Sequence, residues 1–279
     1  MNGVDAHHHV WSLARGDYGW LTPALAPIYR DFSLAEMAPL AQAAGVATTV
    51  LVQAAATLAE TQYLLDVAAK SGGFVRGVVG WVDLSDKNAF ATLESLAINP
   101  LFKSVRPMLQ DLPDIEWILR PQVQAALSQL PALGIRFDAL VKPAQLSALV
   151  AMLERNPELD VVIDHGAKPD IAGGGWEPWA SLMRAAAAHP HVHCKLCGLA
   201  TEAAANWTAD TLRPYVEHLF GWFGPQRIMW GSDWPVVELG GGYARWRSVT
   251  LELLLGLDVA ERDAALGDNA RRFYGLGDD

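Results

Sequence analysis

Val161-Val162-Ile163-Asp164-His165-Gly166 is a short β-branched run that stops abruptly in polar residues. A run this short suits a strand covered on both faces, the condition of a parallel sheet, better than a buried helix. Working outward, eight such runs recur, at residues 3–7, 47–53, 75–82, 102–106, 135–141, 160–164, 192–197 and 227–231. Helical patterns lie between them, at 58–70, 89–97, 123–130, 146–154, 179–189 and 214–223. Eight strand–helix alternations, with no polar linker and no self-similar period, predict an α/β chain forming a single (β/α)8 barrel over residues 1–279. An open doubly wound sheet would read similarly, but no Gly-x-Gly-x-x-Gly follows the first strand. Gly173-Gly174-Gly175 falls in a loop after Pro169, so a phosphate cradle is not expected.

Composition narrows the function. The 279 residues are 51% hydrophobic and 19% charged, enough apolar surface for a large core. With 21 basic and 31 acidic side chains the formal charge is −10, which argues against nucleic acid or an anionic membrane as partner. Two cysteines, Cys194 and Cys197, cannot build a disulfide scaffold, and the first residues lack the order of a signal peptide. The cytoplasm is therefore the expected compartment. No apolar run reaches the length of a membrane span. Several of the eleven tryptophans sit beside turn residues, among them Trp11, Trp20, Trp81, Trp176, Trp179, Trp234 and Trp246. Rings near loops suit carbohydrate faces, although tryptophan also fills cores.

In a barrel the chemistry gathers at the carboxyl ends of strands. The first run ends His7-His8-His9, and the period of two puts His7 and His9 on one face with His8 opposite. Such a pair can hold one metal ion or one substrate oxygen. The sixth run presents His165 at its exit. The eighth, Trp230-Gly231-Ser232-Asp233-Trp234-Pro235, ends in a carboxylate where Pro235 forbids continuation. Singly, a surface histidine patch, a structural histidine and a capping aspartate are ordinary alternatives; together they point to a site. Gln53, Trp81, Arg106, Asp138 and Lys195 also lie at strand ends and read as substrate contacts, although Arg106 and Lys195 could instead balance Asp138 or Asp164. Cys194-Lys195-Leu196-Cys197 matches a Cys-x-x-Cys pattern, but an offset of three along a strand sends the thiols to opposite faces. His189, His191 and His193 fall at the start of the seventh run and are not expected to be ligands.

Taken together, Asp5-Ala6-His7-His8-His9-Val10-Trp11, Arg15-Gly16-Asp17-Tyr18-Gly19-Trp20-Leu21, Asp164-His165-Gly166-Ala167-Lys168-Pro169, Lys195-Leu196-Cys197-Gly198-Leu199 and Trp230-Gly231-Ser232-Asp233-Trp234-Pro235 resemble the lactonase branch of the amidohydrolase superfamily. The similarity extends to Asn269-Ala270-Arg271-Arg272-Phe273-Tyr274. It implies a (β/α)8 barrel and hydrolysis of a cyclic ester, with the L-fuconolactonase and L-rhamnonolactonase type nearest. The fourth run offers Arg106 rather than a bridging lysine and the fifth Phe137-Asp138 rather than histidine, which argues against a two-metal centre. His7, His9, His165 and Asp233 are then expected to hold one Zn²⁺ or Mn²⁺, or to work without metal. Asp233 is the expected general base, with His165 as its catalytic partner. A neutral sugar lactone fits better than a dicarboxylate because the strand ends offer chiefly Arg106 and Lys195 as cations, with Lys168 nearby. Trp11, Trp81 and Trp234 are the expected stacking surfaces. The alternatives are a lactone isomerase, a dicarboxylate-lactone hydrolase, a decarboxylase on a related barrel, and a non-catalytic sugar-binding protein. Oligomeric state stays open.

Overall fold

A computed structural model describes residues 3–277. Eight strands, β1 (Gly3–His8), β2 (Val46–Val52), β3 (Val75–Gly80), β4 (Phe102–Val105), β5 (Arg136–Ala139), β6 (Val161–Ile163), β7 (Val192–Leu196) and β8 (Ile228–Trp230), pair in parallel in chain order. Each matches its sequence reading to within two residues at either end. Helices α1 (Leu34–Ala43), α2 (Leu58–Ala69), α3 (Ala89–Ala97), α4 (Pro121–Leu127), α5 (Leu146–Arg155) and α6 (Trp179–Ala187) follow β1 to β6 in turn. A short α7 (Leu199–Glu202) and the long α8 (Ala209–Phe223) follow β7. After β8 come α9 (Tyr243–Leu253), α10 (Val259–Asp263) and α11 (Asn269–Tyr274).

The barrel closes through the residues just beyond β8. Asp233 N–H donates to His7 O at 2.8 Å and His9 N–H donates to Trp234 O at 2.7 Å, a parallel bridge between the first and last segments of the sheet. Closure therefore carries Asp233 to His7 and His9 across more than two hundred residues of chain. Gly231 permits it, since a Cβ there would stand 2.7 Å from His7 Cβ.

Inside the barrel, Val4, Ala6, Val50, Val52, Val79, Val162 and Met229 form an apolar floor, sealed by Phe273 and Tyr274 of α11. A second, larger cluster fills the space between sheet and helices. The register of β1 slips between Asp5 and His8, a bulge-like irregularity that brings His7 to the interior as well. Among the described residues, no helix is long and apolar enough to cross a membrane.

Candidate active site

Above the apolar floor lies a fully buried charged layer. Lys195 Nζ, from β7, reaches Asp138 Oδ2 of β5 at 2.5 Å and Asp164 Oδ1 at 3.0 Å. Arg106, leaving β4, meets Asp164 Oδ2 at 3.0 Å and also donates to Gln53 O and Oε1. Ser104 and Tyr274 hydroxyls complete the hydrogen bonding of Asp138. Two cations thus balance two carboxylates. Burial alone would raise Asp164, but Lys195, His7 and Arg106 hold it well below the usual carboxylate range. Burial would lower Lys195, yet Asp138 and Asp164 raise it, so it stays an ammonium ion.

Over this layer stand the imidazoles and Asp233. His7 Nδ1 faces Lys195 Nζ at 3.2 Å and Asp164 Oδ1 at 3.4 Å, while Nε2 points upward. His7 Nε2 and His9 Nε2 are 3.3 Å apart, and Asp233 Oδ1 lies 3.6 Å from the first and 3.3 Å from the second. His8 turns the other way from its two neighbours, onto Thr49 Oγ1. His165 Nδ1 stands 3.8 Å from Asp233 Oδ2 and 3.1 Å from Cys197 Sγ. Burial, reinforced by Lys195, pushes His7 well below its ordinary pKa, and burial brings His165 down to about 4. Burial opposes ionisation of Asp233, but His165, His9 and His7 outweigh it and hold the carboxyl well below the usual range. Burial pushes the Cys197 thiol up, so it stays protonated; its sulfur lies 3.1 Å from His165 Nδ1, a contact in which either atom can donate.

The backbone is strained at this rim. Among the described non-glycine residues, only His165, Ala167, Lys168 and Asp233 have positive φ, between 51° and 59°. All four leave β6 or β8, and strain of this kind collects where a side chain must be aimed. Gly198 is required for a related reason. Its φ is +69° and a Cβ would fall 2.5 Å from His165 Nδ1.

Two observations test whether a metal fits. Bonds of about 2.0–2.2 Å in tetrahedral geometry place neighbouring donors about 3.3–3.6 Å apart, and the separations among His7, His9 and Asp233 fall in that interval. His9 Nδ1 lies 2.8 Å from Val52 O. A carbonyl only accepts, so Nδ1 carries the hydrogen, and Nε2 is the nitrogen left to ligate, directed toward the same point as Asp233 Oδ1. The donors therefore suit a cation. Of the expected set of four, His7, His9 and Asp233 form one close group among the described residues, and His165 forms a second with His7 and Cys197.

A cavity of about 160 Å³ opens above His9, Arg106, His165 and Asp233, with Trp20, Met108, Gln110, Asp111 and Lys168 among its walls. Of the expected substrate contacts only Arg106 lines it. Asp138 and Lys195 lie within their strands, one layer lower, and Gln53 is spent on Arg106. Trp11 is buried, its indole N–H donating to Arg30 O and its ring packed on Phe32. Trp234 is likewise buried, edge-on to Phe32. Neither ring can stack on a substrate in this cavity. Trp81 lines a neighbouring cavity instead. The sequence reading places Trp20 among the tryptophans beside turns and Cys197 in a discounted Cys-x-x-Cys pair, assigning neither to the site, and it does not single out Gln110. Cys197 shares the strand-exit position that marked the others, whereas Gln110 sits in a connection with no local signature.

Trp20 is held by its indole N–H on Ala54 O at 2.7 Å. The Ala54 and Ala55 amides in turn donate to the buried Glu60 carboxylate at the start of α2, whose pKa burial raises to about 7 against those amides.

Residues 4–276 match the amidohydrolase family. The chain belongs to that family. This amidohydrolase is 45% identical to L-fucono-1,5-lactonase of Burkholderia ambifaria, over 97% of its own length and 94% of the relative's. It is 31% identical to L-fucono-1,5-lactonase of Burkholderia multivorans, covering 98% and 96%. The crystal structure of an amidohydrolase from Burkholderia multivorans with bound zinc superposes with a TM-score of 0.94 at 31% identity, covering 99% of this chain and 100% of the other.

Proposed function

We propose that this amidohydrolase hydrolyses a sugar-derived lactone of the L-fucono-1,5-lactone type. The observation that carries the proposal is Asp233, an ionised carboxylate directed at the floor of a cavity with imidazoles on both of its oxygens. The full-length likeness to two lactonases supports it.

Asp233 takes the proton from the attacking water and returns it to the ring oxygen as the ester opens. His165 donates to the carbonyl oxygen as negative charge develops there, and the Arg106 guanidinium lends positive potential from below. His7 and His9, with Asp233, would hold one divalent ion of the zinc or manganese type, which when bound supplies Lewis acidity to the reacting oxygens. The half-buried Trp20 offers a ring face to the sugar, fixed by its bond to Ala54. Gln110 Oε1 is buried with no protein donor, so a substrate hydroxyl can satisfy it.

A dicarboxylate lactone fits less well. The cations lining the cavity are Arg106 and Lys168; the first is committed to Asp164 and the second lies 3.7 Å from Glu202, while Asp111 adds a negative wall. The test is acid release by purified protein from L-fucono-, L-rhamnono- and L-galactono-lactones, with Asp233→Asn lowering kcat by about 10²–10⁴. Turnover of a dicarboxylate lactone with none of the sugar lactones would refute the proposal. Product analysis separates hydrolysis from isomerisation or decarboxylation.

A further inference from the structure

Beside the reaction cavity, and sharing Met108 with it, lies a second hollow of about 200 Å³ formed by the connections after β2, β3 and β4. Trp81 and Trp117 supply aromatic walls, both partly exposed, with Asp83 and Ser85 at the edge. These indoles differ from most of their kind in this chain. Those of Trp11, Trp20, Trp179, Trp207, Trp230 and Trp246 each donate to a protein oxygen. Those of Trp81 and Trp117 donate to none among the described residues, and neither is sealed from solvent. Asp83 Oδ1 accepts from the Ser85 amide and hydroxyl, which leaves Oδ2 open.

Trp81 is also held in place. Its backbone N–H donates to Thr61 Oγ1 at 2.8 Å, and the same hydroxyl donates back to Trp81 O at 3.0 Å, clamping the end of β3 onto α2. An indole with an unspent N–H on an anchored strand end, a second indole with an unspent N–H and an open carboxylate oxygen together match one sugar ring, which has an apolar face and a belt of hydroxyls.

We infer that this hollow is an outer subsite for a second pyranose ring, so that the enzyme accepts aldonolactones carrying a glycosyl substituent as well as single-sugar lactones. The inference rests on the lactonase reading above. Met108, unbranched and adaptable, stands where the link between the two rings would pass.

The test uses the full chain and competitive inhibition by L-fuconate and by three L-fuconates carrying a β-D-glucopyranosyl group at O2, O3 or O4. At least one glycosylated acid should bind about tenfold tighter than L-fuconate, the scale of one aromatic stacking contact. Comparing the two inhibition constants within each variant, Trp81→Ala and Trp117→Ala should each remove most of that gain. The inference is overturned if none of the three binds tighter than L-fuconate, or if the gain survives in both variants. Failure of the lactonase reading shows separately, as wild-type protein that leaves L-fucono-1,5-lactone intact. Calorimetry with the same four acids then decides the subsite by the same criterion.

Discussion

Replacing Gly198 by alanine should injure catalysis far more than folding. The new Cβ would stand 2.5 Å from His165 Nδ1 and 2.8 Å from Cγ. Unbonded heavy atoms rest at about 3.5 Å, so the imidazole must retreat by about 1 Å. Alanine at a φ of +69° costs about 1–2 kcal/mol, and displacing the ring from its rotamer adds about 1 kcal/mol. The sum of about 2–3 kcal/mol leaves a domain of ordinary stability folded at 25 °C. Scaled to a chain of this size, Tm should fall by about 3–5 °C. A 1 Å misplacement of a group that must meet the carbonyl oxygen costs about 10²-fold in kcat/KM. Gly174→Ala is the control, since Gly174 has a φ of +71° but nothing within 4 Å of an added Cβ. It should pay the backbone cost alone and keep full activity. The assay is acid release from L-fucono-1,5-lactone, with thermal unfolding measured on the same samples. The reasoning is refuted if Gly198→Ala retains kcat/KM within threefold of wild type, or if Gly174→Ala loses as much.

Lys195→Met should destabilise the fold by about 3–5 kcal/mol in urea denaturation, because it leaves Asp138 and Asp164 buried with one cation between them. Adding Asp138→Asn should recover part of the loss; an unchanged midpoint in the single variant would contradict the pairing. Glu60 has its folded pKa raised to about 7 from 4.5. The folded state therefore binds more protons than the unfolded one between those values, and this stabilisation, full below pH 4.5, is lost as pH rises through 7. Glu60→Gln should flatten the decline in Tm between pH 5 and 7.5, and an identical slope in both proteins would discard the assignment. His9→Ala should lower the zinc retained after dialysis, measured by elemental analysis, whereas zinc content equal to wild type would place the ion elsewhere.

The barrel was legible because each strand is a short β-branched run ending in a polar residue, and the His7/His9 pairing was legible because it depends only on the local period of two. Helices were harder. Proline at 214 reads as a helix start, yet α8 begins five residues earlier at Ala209 and carries Pro214 inside. Helix α1 escaped notice, with Pro39 interrupting its pattern, and α9 buries Arg247 and Thr250 on the face where apolar residues would be sought. The site divided along the same physical line. Sequence gives the face of a strand on which Lys195 or Asp138 lies, but not its depth in the barrel, and depth is what separates a substrate contact from a buried counter-ion. The buried place of Trp11 has a related cause. The connection between β1 and α1 is itself packed, so Trp11 beside a turn is still a core residue.

Depth also assigns the charges their separate work. The lower layer is neutral by itself, with Lys195 and Arg106 against Asp138 and Asp164, and three of the four are sealed from the cavity. Substitutions there should lower stability and activity together. In the upper layer, Asp233, His9 and His165 face the cavity, and among the described residues Asp233 has only imidazoles as ionic partners. Its proton affinity is thus the quantity that substrate and bound ion can alter, while the layer beneath stays fixed. His7 links the two: its Nδ1 lies against Lys195 and Asp164, and its Nε2 lies 3.6 Å from Asp233. The Lys195–Asp164 pair is thus placed to influence which nitrogen of His7 carries hydrogen and, through that ring, how readily Asp233 accepts a proton from water.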